Sequence, residues 1–199
     1  DGAASLTERL RIDSSGKVGI GTTSARCKAE VYDAGVSAAF SATDLSTWRV
    51  LQIRNNIENA TGTAAGIAFG GDGSSDTETA GICGISTNSS GGVVDLAFLT
   101  ATGNVSTERI RITSSGNVGI GTTSPGGFNP HAQELVVHDA NGTCGITIST
   151  PNDTVGRLAF ADPEDDNVGE VRYTHSANTM EFTVNAAERM RIDSSGNVG

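Results

Sequence analysis

One phrase occurs three times in this chain of 199 residues and constrains what it can fold into. It reads ERLRIDSSGKVGIGTTS at 8–24, ERIRITSSGNVGIGTTSP at 108–125 and ERMRIDSSGNVG at 188–199. Leu10 and Ile12 alternate with Arg9, Arg11 and Asp13, the period of two that marks a strand with one apolar and one charged face. Ser14-Ser15-Gly16 suits a three-residue hairpin loop ending on a glycine at positive φ. Val18 and Ile20 resume the alternation against Gly19 and Gly21, and a face made of glycine predicts close approach of another backbone. Nothing in the phrase suits catalysis. The recurring set is Glu8, Arg9, Arg11, Gly16, Gly19 and Gly21; then Glu108, Arg109, Arg111, Gly116, Gly119 and Gly121; then Glu188, Arg189, Arg191 and Gly196. Its carboxylate and guanidinium are expected to pair across strands or between chains and so fix register, with both arginines of a copy on one face.

The Glu-Arg dipeptides stand 100 and then 80 residues apart, yet the segments between them share an order of short strands. Glu30-Val31-Tyr32-Asp33 answers Leu135-Val136-Val137-His138-Asp139, and Leu51-Gln52-Ile53 answers Ile146-Thr147-Ile148. Gly66-Ile67-Ala68-Phe69 answers Arg157-Leu158-Ala159-Phe160, and Gly81-Ile82-Cys83-Gly84-Ile85 answers Gly169-Glu170-Val171-Arg172-Tyr173. Residues 95–100 answer 179–184. Length variation then falls in turns, as in tandem β modules. The period divides the chain into 1–16, the end of a preceding module; 17–116, a complete module; and 117–199, a shorter one. Each full module is expected to hold about seven short strands. Residues 45–55 read as strand or as a short helical turn at 45–48. The class is all-β.

Leu, Ile, Val and Phe make up 42 residues, about a fifth of the chain, with only nine aromatics. Such a composition builds thin layers and calls for a partner to complete burial. Open strand edges invite the same conclusion. The expected arrangement is an elongated tandem-repeat fibre, an intertwined homotrimer whose chains cover one another's edges about a long axis. A net charge of −10 argues against nucleic acid and anionic membrane as partners. No apolar run has the length of a membrane span. The chain opens at Asp1 without a methionine and stops inside a repeat, so it is expected to be an excerpt of a longer protein.

Cys27, Cys83 and Cys144 have neither CxxC nor Cys/His ligand spacing and are expected to be free, buried and hydrophobic in role. That usage favours folding in a reducing cytoplasm. Gly70-Gly71-Asp72-Gly73 matches a fragment of a calcium-binding nonapeptide but lacks the periodic second copy. Residues 162–166 are an acidic loop, and His131, His138 and His175 lack mutual ligand spacing. No serine stands in a nucleophile elbow. No cofactor, metal or catalytic residue is assigned, and the chain is read as no enzyme.

The phrase resembles the tandem repeats of bacteriophage tail fibres and tail-fibre-like proteins, and the strands GIAF, ITIST and DLAF between its copies extend the likeness along essentially the whole chain. The first copy departs at Ala25, where the second has Pro125. The resemblance implies a homotrimeric β fibre on a virion, assembled in the host cytoplasm. It would space a host-receptor-binding tip from other virion tail proteins. A C-terminal self-cleaving chaperone domain often follows in the family. The alternative is a bacterial surface adhesin or extracellular filament. Exposed loops binding host glycans would suit that reading, with Trp48 and Tyr173 as the aromatic candidates.

Overall fold

A computed structural model describes residues 8–32, 39, 41–45, 51–55, 60–70, 79–89, 92–103 and 105–199. The protein is all-β, and a short 3-10 turn lies at Pro125–Gly127. The first sheet has the order β1 (Leu10–Ile12), β2 (Val18–Ile20), β3 (Ala29–Val31). The second has six strands in sequence order: β4 (Ala64–Gly70), β5 (Thr79–Ser86), β6 (Val94–Thr102), β7 (Val105–Ile112), β8 (Val118–Ile120) and β9 (Leu135–Val137). The third runs β10 (Val155–Phe160), β11 (Gly169–Thr174), β12 (Thr179–Val184), β13 (Ala187–Ile192). Neighbours are antiparallel from β4 to β8 and from β10 to β13, whereas β2 and β3 are parallel. Among the described residues no helix is long and apolar enough to cross a membrane.

Two compact units result, Asp1–Val136 and Val137–Gly199. The periodic boundary at 116/117 and this division differ because β8 and β9 close the sheet that β4 opens. Six described strands fall in each of the stretches 17–116 and 117–199, against the seven expected. Residues 51–53 and 146–148, expected as strands, belong to none. Of 45–55, only 45 and 51–55 lie among the described residues, and none is in a strand. The ladders also correct one alignment. Phe69 pairs with Ala80 where Phe160 pairs with Gly169, so 80–84, and not 81–85, is the counterpart of 169–173. Matching glycine to glycine slips the register by one residue, and in a strand that turns every side chain to the other face.

The faces divide cleanly. Across β4 to β8 one row is Ile67, Ile82, Phe98, Ile110, Ile120. The row on the opposite face is Gly66, Cys83, Ala97, Arg111, Gly119. In the third sheet the apolar row is Leu158, Val171, Phe182, Met190, and the charged row is Arg157, Arg172, Glu181, Arg191. The better-covered side is the small or charged one. Among the described apolar residues Ala97 and Val136 form the core, with Pro125 fully buried, while Asp95, Glu170, Thr179, Glu181 and Thr183 are buried polar groups. Ile67, Phe69, Ile82, Leu96, Leu158 and Phe160 remain exposed. Such a distribution leaves the hydrophobic effect largely unspent within one chain.

Candidate functional site

The repeated cassette is a hairpin built the same way each time. Asp13 N–H donates to the Lys17 carbonyl and Gly16 N–H to the Asp13 carbonyl, closing the three-residue loop 14–16. Gly16, Gly116 and Gly196 have φ of 72°, 91° and 83°, the left-handed backbone that a residue with a Cβ adopts at a cost. Residue 13 supplies a second closure unforeseen from the alternation. Asp13 Oδ1 accepts from Ser15 N–H at 2.8 Å and Lys17 N–H at 2.9 Å, and Asp193 Oδ1 repeats this with Ser195 and Asn197. In the second copy Thr113 Oγ1 takes the Asn117 N–H, while Asp95 on β6 takes the Ser114 N–H. These donors hold the carboxyls of Asp13 and Asp193 below the ordinary aspartate value; for Asp13 the Lys17 amide dominates, for Asp193 the Asn197 side chain.

The recurring glutamate pairs with the second arginine of its own copy, three residues on, and that arginine in the second and third copies also pairs across strands, with Asp95 and Glu181, as expected. A β-bulge opposite Phe98/Leu99 and another opposite Phe182/Thr183 leave Arg109 and Arg189 as the extra residues. Each bulge brings residues three apart onto one side. Arg111 Nε and Nη2 then grip Glu108 at 2.7 and 2.6 Å, Arg11 grips Glu8 at 2.5 Å through both nitrogens, and Arg191 grips Glu188 at 3.0 and 2.6 Å. A bidentate guanidinium–carboxylate pair has fixed geometry, so it locks the bulge in register. The first arginine goes elsewhere: Arg109 Nε donates to Thr100 Oγ1 at 3.1 Å and Arg189 Nε to the Val184 carbonyl at 3.2 Å. The two arginines of a copy therefore serve different partners, contrary to expectation, and Arg9 is exposed.

Burial separates the copies. The Arg111 side chain is 13% exposed and also reaches Asp95 Oδ2 at 3.0 Å, whereas that of Arg11 is 45% exposed. The Arg111 guanidinium is pushed well above the ordinary arginine value, chiefly by its bond to Glu108. Glu8 is held below the ordinary glutamate value by Arg11.

The glycines opposite these arginines in the ladder meet the chain's own backbone. A Cβ on Gly19 would lie 2.6 Å from the Thr22 carbonyl oxygen, and one on Gly119 2.5 Å from that of Thr122. The close approach is thus a local turn, and needs no second chain. Gly21 and Gly121 have φ of 76° and 75°, so they are conformational requirements as well as small residues. The same added Cβ on Gly119 would lie 3.3 Å from Pro125 Cδ, and one on Gly19 3.6 Å from Ala25 Cβ.

In the third sheet a chain of ion pairs occupies the row that in the second is made of small residues and Arg111. Arg157 and Arg172 face each other directly, an arrangement that repels unless a carboxylate intervenes. Glu170 intervenes, 3.6 and 3.1 Å from their Nη1 atoms. Arg172 Nε also binds Glu181, which Arg191 reaches at 3.3 Å. The Thr179 hydroxyl donates to Glu181 Oε1 at 2.7 Å and heads the causes that hold this carboxyl below the ordinary glutamate range.

Elsewhere the residues do structural work. Cys27 and Cys144 are exposed and Cys83 half-buried, which corrects the expectation of buried thiols; the described residues hold little core to receive them. Asp162 Oδ1 accepts from the Glu164 and Asp165 amides, so the acidic loop caps itself. His175 stacks edge-on to Tyr173 with centroids 5.0 Å apart; His131 is exposed and His138 half-buried. Trp48 and residues 71–73 lie outside the described residues. Among the described residues no group of three or more His, Cys, Asp or Glu is disposed to hold a metal ion.

No protein-family model and no curated protein matches the chain.

Proposed function

We propose that this chain is a structural shaft segment of a bacteriophage tail fibre, a homotrimer that positions a host-receptor-binding tip away from the virion. The observation that carries the reading is the reversal of the sheet faces: polar and small side chains are covered while Ile67, Ile82 and Leu96, and again Leu158, Phe160 and Met190, are exposed. Each such residue left half in water forgoes roughly 1 kcal/mol that burial would supply, so the chain gains from identical neighbours in every module. The repeated hairpin, with the same loop and arginine grip at each recurrence and the same bulge at the second and third, supports a shaft that extends by repetition. The resemblance of the phrase to tail-fibre repeats supplies the setting, with other virion tail proteins as neighbours. The reading assigns the chain no catalysis and no cofactor.

Immunogold labelling with antibodies to this chain tests the setting. Gold along tail appendages of particles from lysed cells is the expected result. Gold on filaments at the bacterial surface, with bare particles, would move the chain to the adhesin reading.

A further inference from the structure

The segment 138–154 joins β9, where the first compact unit ends, to β10 in the second. It contains Asn141-Gly142, and of all the asparagines in the sequence Asn141 alone is followed by glycine. That pairing has a chemistry of its own. Asparagine is a labile residue, because its carboxamide carbon lies within reach of the next backbone nitrogen and can close a five-membered ring with it. A side chain on the following residue obstructs the approach, and glycine has none.

The local structure leaves both reacting groups unencumbered. Residues 139–144 are exposed and belong to no strand. Asp139 Oδ1 accepts the Asn141 N–H at 2.9 Å, an Asx turn that holds the backbone ahead of the asparagine. Among the described residues no hydrogen bond engages the Gly142 N–H or the Asn141 carboxamide. Other asparagines differ at this point. Asn129 precedes Pro130, which has no N–H to lose. The amide after Asn117 belongs to Val118 and donates to the Glu134 carbonyl, and the amide after Asn185 belongs to Ala186 and donates to the Val168 carbonyl. The first module's counterpart of the turn reads Asp33-Ala34-Gly35, without asparagine.

We infer that Asn141-Gly142 is a self-modifying site, at which the chain converts asparagine into aspartyl and isoaspartyl residues without an enzyme. The Gly142 nitrogen forms a bond to Asn141 Cγ and gives up its proton. The Cγ–Nδ2 bond breaks, and the amino group takes up a proton and leaves as ammonia. Solvent water then opens the succinimide. Attack at the side-chain carbonyl gives aspartate at 141; attack at the backbone carbonyl gives isoaspartate, whose main chain runs through Cγ and is one carbon longer. Nothing is oxidised or reduced, and water is the sole co-reactant. Either product adds a negative charge to a chain already at −10 and sets it two residues from Asp139, where like charges oppose the turn. The isoaspartyl form also lengthens the covalent connection between the two units, so that connection changes with age.

The test is prolonged warm storage of the full-length protein in mildly alkaline buffer. Tryptic digestion then releases residues 112–157 as one peptide, and electron-transfer fragmentation tells aspartyl from isoaspartyl linkages. Both products are expected at 141, with a matching release of ammonia, while Asn117, Asn129 and Asn152 of the same peptide stay intact. Gly142→Ala sets a methyl group 3.1 Å from Asp139 Oδ2 and should slow the conversion by roughly tenfold, the effect of about 1.4 kcal/mol on the barrier. An intact Asn141 in the folded protein, over a time in which the urea-unfolded chain converts, would mean that the turn protects the site and would overturn the inference. Equal rates in Gly142→Ala, or scission between 141 and 142 in place of ammonia loss, would overturn it as well.

Discussion

Replacing Arg111 by methionine keeps most of the side-chain volume and removes the charge that two carboxylates share. Glu108 and Asp95 lie 2.6 and 3.0 Å from its nitrogens, with side chains 16% and 8% exposed. Breaking a buried pair by deleting one partner costs about 3–5 kcal/mol, because the remaining charge stays desolvated. The site is not fully dry, so a loss on the order of 3 kcal/mol is expected. For a unit of this size that lowers the melting midpoint by roughly 10 °C. Urea and thermal unfolding of Arg111→Met measure it, beside Arg11→Met, where the equivalent pair stands in solvent and the midpoint should scarcely move. Adding Glu108→Gln and Asp95→Asn to Arg111→Met should recover much of the loss, since neutral amides are cheaper to leave without a cation than carboxylates. Equal effects of Arg111→Met and Arg11→Met, or no recovery in the triple variant, would refute the reasoning.

Three further outcomes follow from the same geometry. Gly119→Val sets a branched side chain against the Thr122 carbonyl, 2.5 Å from the Cβ; calorimetry should show marked destabilisation of the second sheet and reduced assembly, and a wild-type midpoint would mean the turn gives way freely. Ala186 has φ of 53° in the two-residue turn between β12 and β13, so Ala186→Gly should stabilise by about 1 kcal/mol in urea; a loss would show that the strain is absent. Glu8, Asp13, Glu181 and Asp193 all have depressed carboxyls. Their contribution is complete above the ordinary carboxylate values, 4.5 for glutamate and 3.8 for aspartate, and is lost as pH falls through the lower folded values. Unfolding midpoints should therefore hold from neutrality to about pH 5 and decline below it; a midpoint that rises on acidification would contradict this.

What the sequence discloses is mostly local. Ser14-Ser15-Gly16 specifies its loop because only glycine takes the last position cheaply, and the strand order of the modules follows from alternation between turn residues. The bulge at Arg109 escapes such reading, since two residues against one is a property of the pair of strands and leaves no mark on either alone. With the bulge hidden, the partner of Glu108 is misplaced, and the grip by Arg111 three residues on cannot be seen. Asp95 escapes for the same reason: it serves Ser114 and Arg111 from another strand, 19 and 16 residues away in sequence. Cysteine burial is over-read because the inference presumes a core, and one chain holds almost none. Residues 146–148 carry strand chemistry yet form no strand, and Ile148 packs over Gly156 of β10 instead.

The mass of the assembled chain in solution bears most directly on the central claim, that exposed Ile67, Leu158 and their row-mates are faces awaiting identical copies. Light scattering on the eluted peak should return about three times the single-chain 20.3 kDa, unchanged on dilution through the nanomolar range that a stable obligate interface tolerates. A peak at 20.3 kDa that binds no apolar dye and melts cooperatively would mean that one chain closes its own sheets, and the account would fail.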